Sequence, residues 1–162
     1  MSIAVLNPRG DGLVAGEPEQ VWTGAKWTEG PCVLGDGSLL FSDIPNNRIL
    51  RLADGKVEVW KQPSNFANGR TLDSGGSILT CEHGGRRVTR TRADGTYEVV
   101  VDAHQGRKLN SPNDVVVGPD GAVWFTDPPY GIESNYEGYK SASEQSGNHV
   151  YRFDPARGET RI

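Results

Sequence analysis

Apolar positions along this chain come in short runs broken by turn residues, and the runs recur in register. With Glu29, Asn68 and Asn113 as three origins, a glycine follows eight residues on each time, at Gly37, Gly76 and Gly121. Strand-like triplets follow, Leu39-Leu40-Phe41, Ile78-Leu79-Thr80 and Val123-Trp124-Phe125. An acid closes each triplet at Asp43, Glu82 and Asp127. Next come Arg48-Ile49-Leu50-Arg51, Arg87-Val88-Thr89-Arg90 and His149-Val150-Tyr151-Arg152, then turns at Asp54-Gly55, Asp94-Gly95 and Asp154-Pro155. Val57-Glu58-Val59-Trp60 and Tyr97-Glu98-Val99-Val100-Val101 complete the first two units. Short β-rich runs between Gly, Asp and Pro predict four strands per unit, and helical periodicity is nearly absent.

Four strands in a unit of about 40–50 residues is the pattern of a β-propeller blade. The reading is therefore all-β, with blades over about 27–62, 65–103 and 110–162. Glu19-Gln20-Val21-Trp22 resembles Val57-Glu58-Val59-Trp60. It is read as an outer strand (19–22) closing a blade that these residues do not contain. About three blades are present where closed propellers have 4–8, so the chain reads as the N-terminal half of a larger ring. Blades pack face to face, so three alone leave two apolar faces open, and a natural half-chain is expected to self-associate. The third unit takes 22 residues from Asp127 to His149, where the other two take 5 from acid to arginine. The excess, roughly Gly131 to Gly147, is polar and reads as a lid or a surface insertion.

Charge and composition remove several classes. The chain has 162 residues, with 17 basic against 21 acidic side chains. A mildly acidic chain without a basic stripe does not suit nucleic acid, and no apolar run is long enough to span a bilayer. Met1 to Pro8 lacks a charged, then apolar, leader pattern. Two cysteines, Cys32 and Cys81, cannot form a disulfide framework and are read as buried small apolar residues in a reducing, cytoplasmic setting. No Gly-x-Ser-x-Gly elbow, CxxC, HExxH or EF-hand spacing occurs.

The origin residues precede each first strand and the acids follow each second strand, so both lie at one end of the hairpin. If the first strands line the channel, Glu29, Asn68, Asn113, Asp43, Glu82 and Asp127 ring one mouth, with His83 beside Glu82. Carboxylate and amide oxygens suit a hard divalent cation. The acids have an alternative as partners of the arginines in the next strand, favoured for Asp43 and open for Asp127. Asn68-Gly69 and Asn113-Asp114 have an alternative as turn formers, and His83 as a hydrogen-bonded structural histidine. Glu29 is the hardest to explain structurally, because a carboxylate in a channel-lining strand needs a partner, a metal or an arginine.

Several of these segments carry a family resemblance. Trp27-Thr28-Glu29-Gly30-Pro31 with Leu40-Phe41-Ser42-Asp43-Ile44-Pro45 resembles the opening blade of the gluconolactonase and regucalcin-like (senescence marker protein) family. Cys81-Glu82-His83-Gly84 with Arg86-Arg87-Val88 is similar to the second blade of its bacterial gluconolactonase branch. Asn110-Ser111-Pro112-Asn113-Asp114-Val115 and Trp124-Phe125-Thr126-Asp127-Pro128-Pro129-Tyr130-Gly131 are similar to the third. The resemblance implies a six-bladed propeller holding one divalent metal, Ca²⁺ first, with Mg²⁺, Mn²⁺ or Zn²⁺ as alternatives. It implies hydrolysis of a small sugar lactone, with Glu29 as metal ligand and Asn113 as ligand or as contact to substrate or water. Asn68, His83, Asp127 and Tyr130 would then shape the substrate pocket. The family's other ligands, an Asn and the acid–base Asp, would lie beyond residue 162. The piece alone is therefore expected to be inactive. Ser111 stands where the regucalcin branch has a substrate-binding arginine. The competing reading is a non-catalytic binding propeller or an inactive fragment, which would hold no metal.

Overall fold

A computed structural model describes residues 17–162. The leader expectation for Met1 to Pro8 falls outside them. The predicted units form three four-stranded antiparallel sheets, each in simple meander order. Sheet 1 holds β1 (Thr28–Val33), β2 (Leu39–Asp43), β3 (Arg48–Ala53) and β4 (Lys56–Lys61). Sheet 2 holds β5 (Ala67–Leu72), β6 (Ile78–Glu82), β7 (Arg87–Thr91) and β8 (Tyr97–Val101). A small hairpin, β9 (Ala103–His104) and β10 (Arg107–Lys108), leads to sheet 3: β11 (Val115–Val117), β12 (Val123–Asp127), β13 (His149–Asp154) and β14 (Glu159–Arg161). The first strand of each sheet is innermost, with β5 packed between β1 and β11. This is a propeller-like arrangement.

Burial follows from stacking. Every residue of β6, in the middle sheet, is buried, whereas β12 alternates between buried and more exposed positions. A sheet covered on both faces loses the alternation that a half-covered sheet keeps. Leu40, Ile49, Ala67 and Ile78 fill the space between sheets 1 and 2. Leu79, Val88, Val115, Phe125 and Tyr151 fill that between sheets 2 and 3, with the Phe125 and Tyr151 rings stacked at 5.3 Å. Each of the larger aliphatic and phenylalanine side chains contributes about 1.5–3 kcal/mol by leaving water. Cys32 and Cys81 are buried and unbridged, as read from sequence. The outer face of sheet 3 leaves Val116, Trp124 and Val150 exposed.

Residues 19–22 pair with none of the three sheets, and the blade they were read to close lies outside these residues. Two expectations need correction. The chain is not free of helix: one turn, α1 (Tyr130–Glu133), opens the insertion after β12. The insertion is not a free loop. Tyr139 N donates to Gly131 O and Ser141 N to Ile132 O, folding it back on α1, while the Tyr139 ring meets the edge of Phe66.

Candidate active site

The repeat places Glu29, Asn68 and Asn113 at equivalent points of neighbouring units: Glu29 and Asn68 lie within β1 and β5, not ahead of them as expected, and Asn113 lies two residues before β11. The pairing of β1 with β2 slips between Glu29 and Cys32, and that of β5 with β6 between Ala67 and Arg70. Such bulges re-aim side chains out of the regular pleat. Close backbone approach then brings the strands together. Gly69 N donates to Asn113 O at 2.8 Å. Gly30 has φ +55°, and a β-carbon there would run into the carbonyl oxygen of Asn68. The Arg70 guanidinium, buried with no carboxylate partner among the described residues, donates to Gly30 O and to Ser42 Oγ. Ser42 Oγ in turn donates to Asn68 O at 3.0 Å. Burial lowers the Arg70 pKa to about 10. The latch thus ties the Glu29 segment to Asn68 from below.

Trp27, Glu29, Ile44, Asn68, Asn113, Tyr130 and Glu137 line a cavity of about 310 Å³ above this latch. Of the residues singled out from sequence, Glu29, Asn68, Asn113 and Tyr130 share its wall. His83 lies fully buried behind it, its Nε2 at 3.2 Å from Asn68 Nδ2 and 3.4 Å from Asn113 Nδ2. Its Nδ1 donates to the Glu137 carbonyl at 3.0 Å. Burial pushes the imidazole pKa down to about 4, against the opposing pulls of the Glu137 carbonyl and the Glu29 charge. The ring is therefore neutral at pH 7. Glu29 is exposed among the described residues and accepts from the Trp27 indole at 3.2 Å.

The three acids that close the second strands take no part in the cavity wall. Asp43 pairs with Arg48 at 2.8 Å and accepts from Asn46. Glu82 accepts from Arg87, Asn65 and Tyr97. Asp127 faces His149 across the strand pair where the others face arginine. It is buried and accepts from Asn110 N at 2.8 Å. Burial raises its pKa to about 6, outweighing the backbone N–H groups of Asn110 and Ser111 and the charges of Arg86 and His149.

Glu137 is the cavity residue that sequence reading missed. It lies in the irregular insertion, outside the repeat, and nothing in the sequence separates it from Glu133 or Glu144. Burial, then the charges of Glu133 and Glu29, raise its pKa.

A family profile described as SMP-30/Gluconolactonase/LRE-like region matches residues 27–162. The chain belongs to that family. A gluconolactonase of Zymomonas mobilis is 34% identical, aligned over 94% of this chain and 48% of its own. The solved structure of a gluconolactonase from Xanthomonas campestris superposes with TM-score 0.82 at 37% identity, covering 87% of this chain and 48% of that one. A structure described as a putative gluconolactonase gives TM-score 0.83 at 38% identity over 88% and 50%. The chain thus spans about half the length of these relatives. No helix among the described residues is long and apolar enough to cross a membrane.

A divalent cation is the group the family resemblance implies, and the donor chemistry fits it in part. Glu29 offers a carboxylate, and Asn68 and Asn113 offer amide oxygens on the branch not facing His83. Hard oxygen donors of this kind suit Ca²⁺, which takes 6–8 oxygens, so these residues would supply part of a shell. No cluster of three or more His, Cys, Asp or Glu able to hold a metal occurs among the described residues.

Proposed function

We propose that this chain contributes the Glu29 side of a sugar-lactone-hydrolysing site, within a six-bladed propeller of which the three sheets form part. The observation that carries the reading is one carboxylate and two amides from three neighbouring units at a single cavity, in a chain of the gluconolactonase family. The proposed partner is a small lactone. Hydrolysis joins a water oxygen to the carbonyl carbon and breaks the ring C–O bond. A proton must leave the water and one must reach the departing ring oxygen.

Glu29 and Asn113, with Asn68, would hold the cation, Ca²⁺ first. When bound, it supplies Lewis-acid polarisation of the lactone carbonyl and charge stabilisation of the oxyanion. The chain's own residues bind and orient. Trp27 and Tyr130 give the cavity an aromatic rim against which a sugar ring can lie, and the amides of Asn68 and Asn113 fix polar groups on its floor. The acid–base residue is assigned, on the resemblance, to an Asp outside these residues.

A second reading, a propeller that binds without turnover, draws on the exposure of Glu29 and the lack of an acid cluster among the described residues. Proton release from a panel of five- and six-membered sugar lactones, measured on a chain that carries the complete propeller, separates the two. Turnover of at least one lactone above its spontaneous rate is expected, and binding with no turnover of any would refute the enzyme reading.

A further inference from the structure

We propose that His83 is a positioning residue that holds both Asn68 and Asn113 with their amide oxygens free for the cavity, and that the insertion after β12 sets its tautomer. The purpose of this device rests on the lactonase reading above; its geometry does not.

The Glu137 carbonyl has no hydrogen and can only accept, so His83 Nδ1, at 3.0 Å, carries the proton. The Glu137 carboxylate stands farther away, at 3.8 Å from Nδ1. The imidazole is fully buried and no carboxylate meets its other nitrogen, so the ring is neutral and Nε2 presents a lone pair. Two amides face that lone pair, Asn68 at 3.2 Å and Asn113 at 3.4 Å. An amide oxygen in either place would set lone pair against lone pair. Both side chains must therefore show NH₂ to the imidazole, which leaves each oxygen on the other branch. A flip about χ2 changes an amide's shape little but exchanges an oxygen for an NH₂. A cation site built on amides thus needs something to forbid the flip, and His83 does so for two residues at once.

The insertion supplies the acceptor. Gly131 packs directly on His83, where a β-carbon would overlap the imidazole's Cβ and Cγ. Gly138 packs as closely on the Gly131 carbonyl, and Tyr139 N donates to that carbonyl at 2.9 Å. These contacts bring Glu137 O to Nδ1. The segment read from sequence as a lid or an ornament is, on this proposal, the buttress of the site.

Nitrogen-detected NMR of the metal-free protein tests the geometry. The proposal expects His83 protonated at Nδ1 and bare at Nε2, with this preference lost in Gly138→Val, whose side chain displaces the Glu137 carbonyl. Ca²⁺ titration calorimetry on His83→Gln and His83→Leu, made in a chain that carries the complete propeller, tests the consequence. Glutamine can place its amide oxygen where Nε2 lies and should bind close to wild type. Leucine should lose affinity by about 10–100-fold, as removal of an orienting partner does. A proton on Nε2, or equal affinities in the two variants, would overturn the proposal. Protonation at Nδ1 in a protein that binds no Ca²⁺ would support the positioning role and remove the cation from the proposed function instead.

Discussion

Asp127→Asn offers a prediction whose sign follows from the fold. The carboxyl of Asp127 is 1% exposed, receives a hydrogen bond from Asn110 N and has its Oδ1 unpartnered. Its equivalents Asp43 and Glu82 each meet an arginine across the strand pair, but here the chain has His149. The folded-state pKa is raised from 3.8 to about 6. The folded protein therefore holds this proton more tightly than the unfolded chain does. The stability that the proton provides is complete below about pH 4 and is lost as pH rises through about 6. Two pKa units correspond to about 3 kcal/mol. Asparagine imitates the protonated acid at every pH, so the variant should match wild type near pH 4 and exceed it by about 2–3 kcal/mol at neutral pH. Urea unfolding followed by tryptophan fluorescence across this range measures the difference directly. A difference that does not change with pH would refute the reasoning. A variant that becomes less stable than wild type as pH rises would show that Arg86 pairs with the ionised carboxylate.

Other perturbations probe the frame of the site. Glu82→Gln, which strips the charge from a buried acid bonded to Arg87, Asn65 and Tyr97, should cost about 3 kcal/mol in guanidinium unfolding at neutral pH; a loss within error would show that Glu82 is not a structural anchor. Gly30→Ala puts a β-carbon against the Asn68 carbonyl at a positive φ and should lower stability by more than about 1 kcal/mol, read as a fall in melting temperature. Glu29→Gln, at an exposed carboxylate, should leave stability within about 0.5 kcal/mol while sharply weakening Ca²⁺ binding in calorimetry.

The repeat was legible because a hairpin forces it. A turn glycine, an apolar triplet and a closing acid must recur at fixed offsets wherever the same hairpin is built. The offsets therefore located all three sheets and put Glu29, Asn68 and Asn113 at equivalent points. They also put Asp43 and Glu82 opposite Arg48 and Arg87. What the offsets cannot carry is direction. Asp127 ends its strand and, like Asp43 with Lys26 N, accepts a backbone N–H from seventeen residues upstream, yet it has His149 across the pair where the others have arginine. Glu29 lies within the inner strand β1, not ahead of it, and stays exposed beside the Trp27 indole. Glu137 lies in a segment with no counterpart in the other units. Only the folding of Tyr139 and Ser141 back onto α1 brings it to the cavity, and such a contact depends on tertiary packing without leaving a periodic trace. The β9–β10 hairpin escaped notice for the same reason: each arm is two residues long, too short for alternation to register.

The central claim is that Glu29 and the neighbouring amides form the cation-holding side of a lactonase site. Its most direct test is the rate of sugar-lactone hydrolysis by a chain that carries the complete propeller, wild type and Glu29→Gln, after chelation and on titration with Ca²⁺. The account predicts that chelation abolishes turnover in wild type, that Ca²⁺ restores it, and that the variant recovers far less or requires much more Ca²⁺. Turnover that survives chelation, or a variant restored at the wild-type Ca²⁺ concentration, would contradict it.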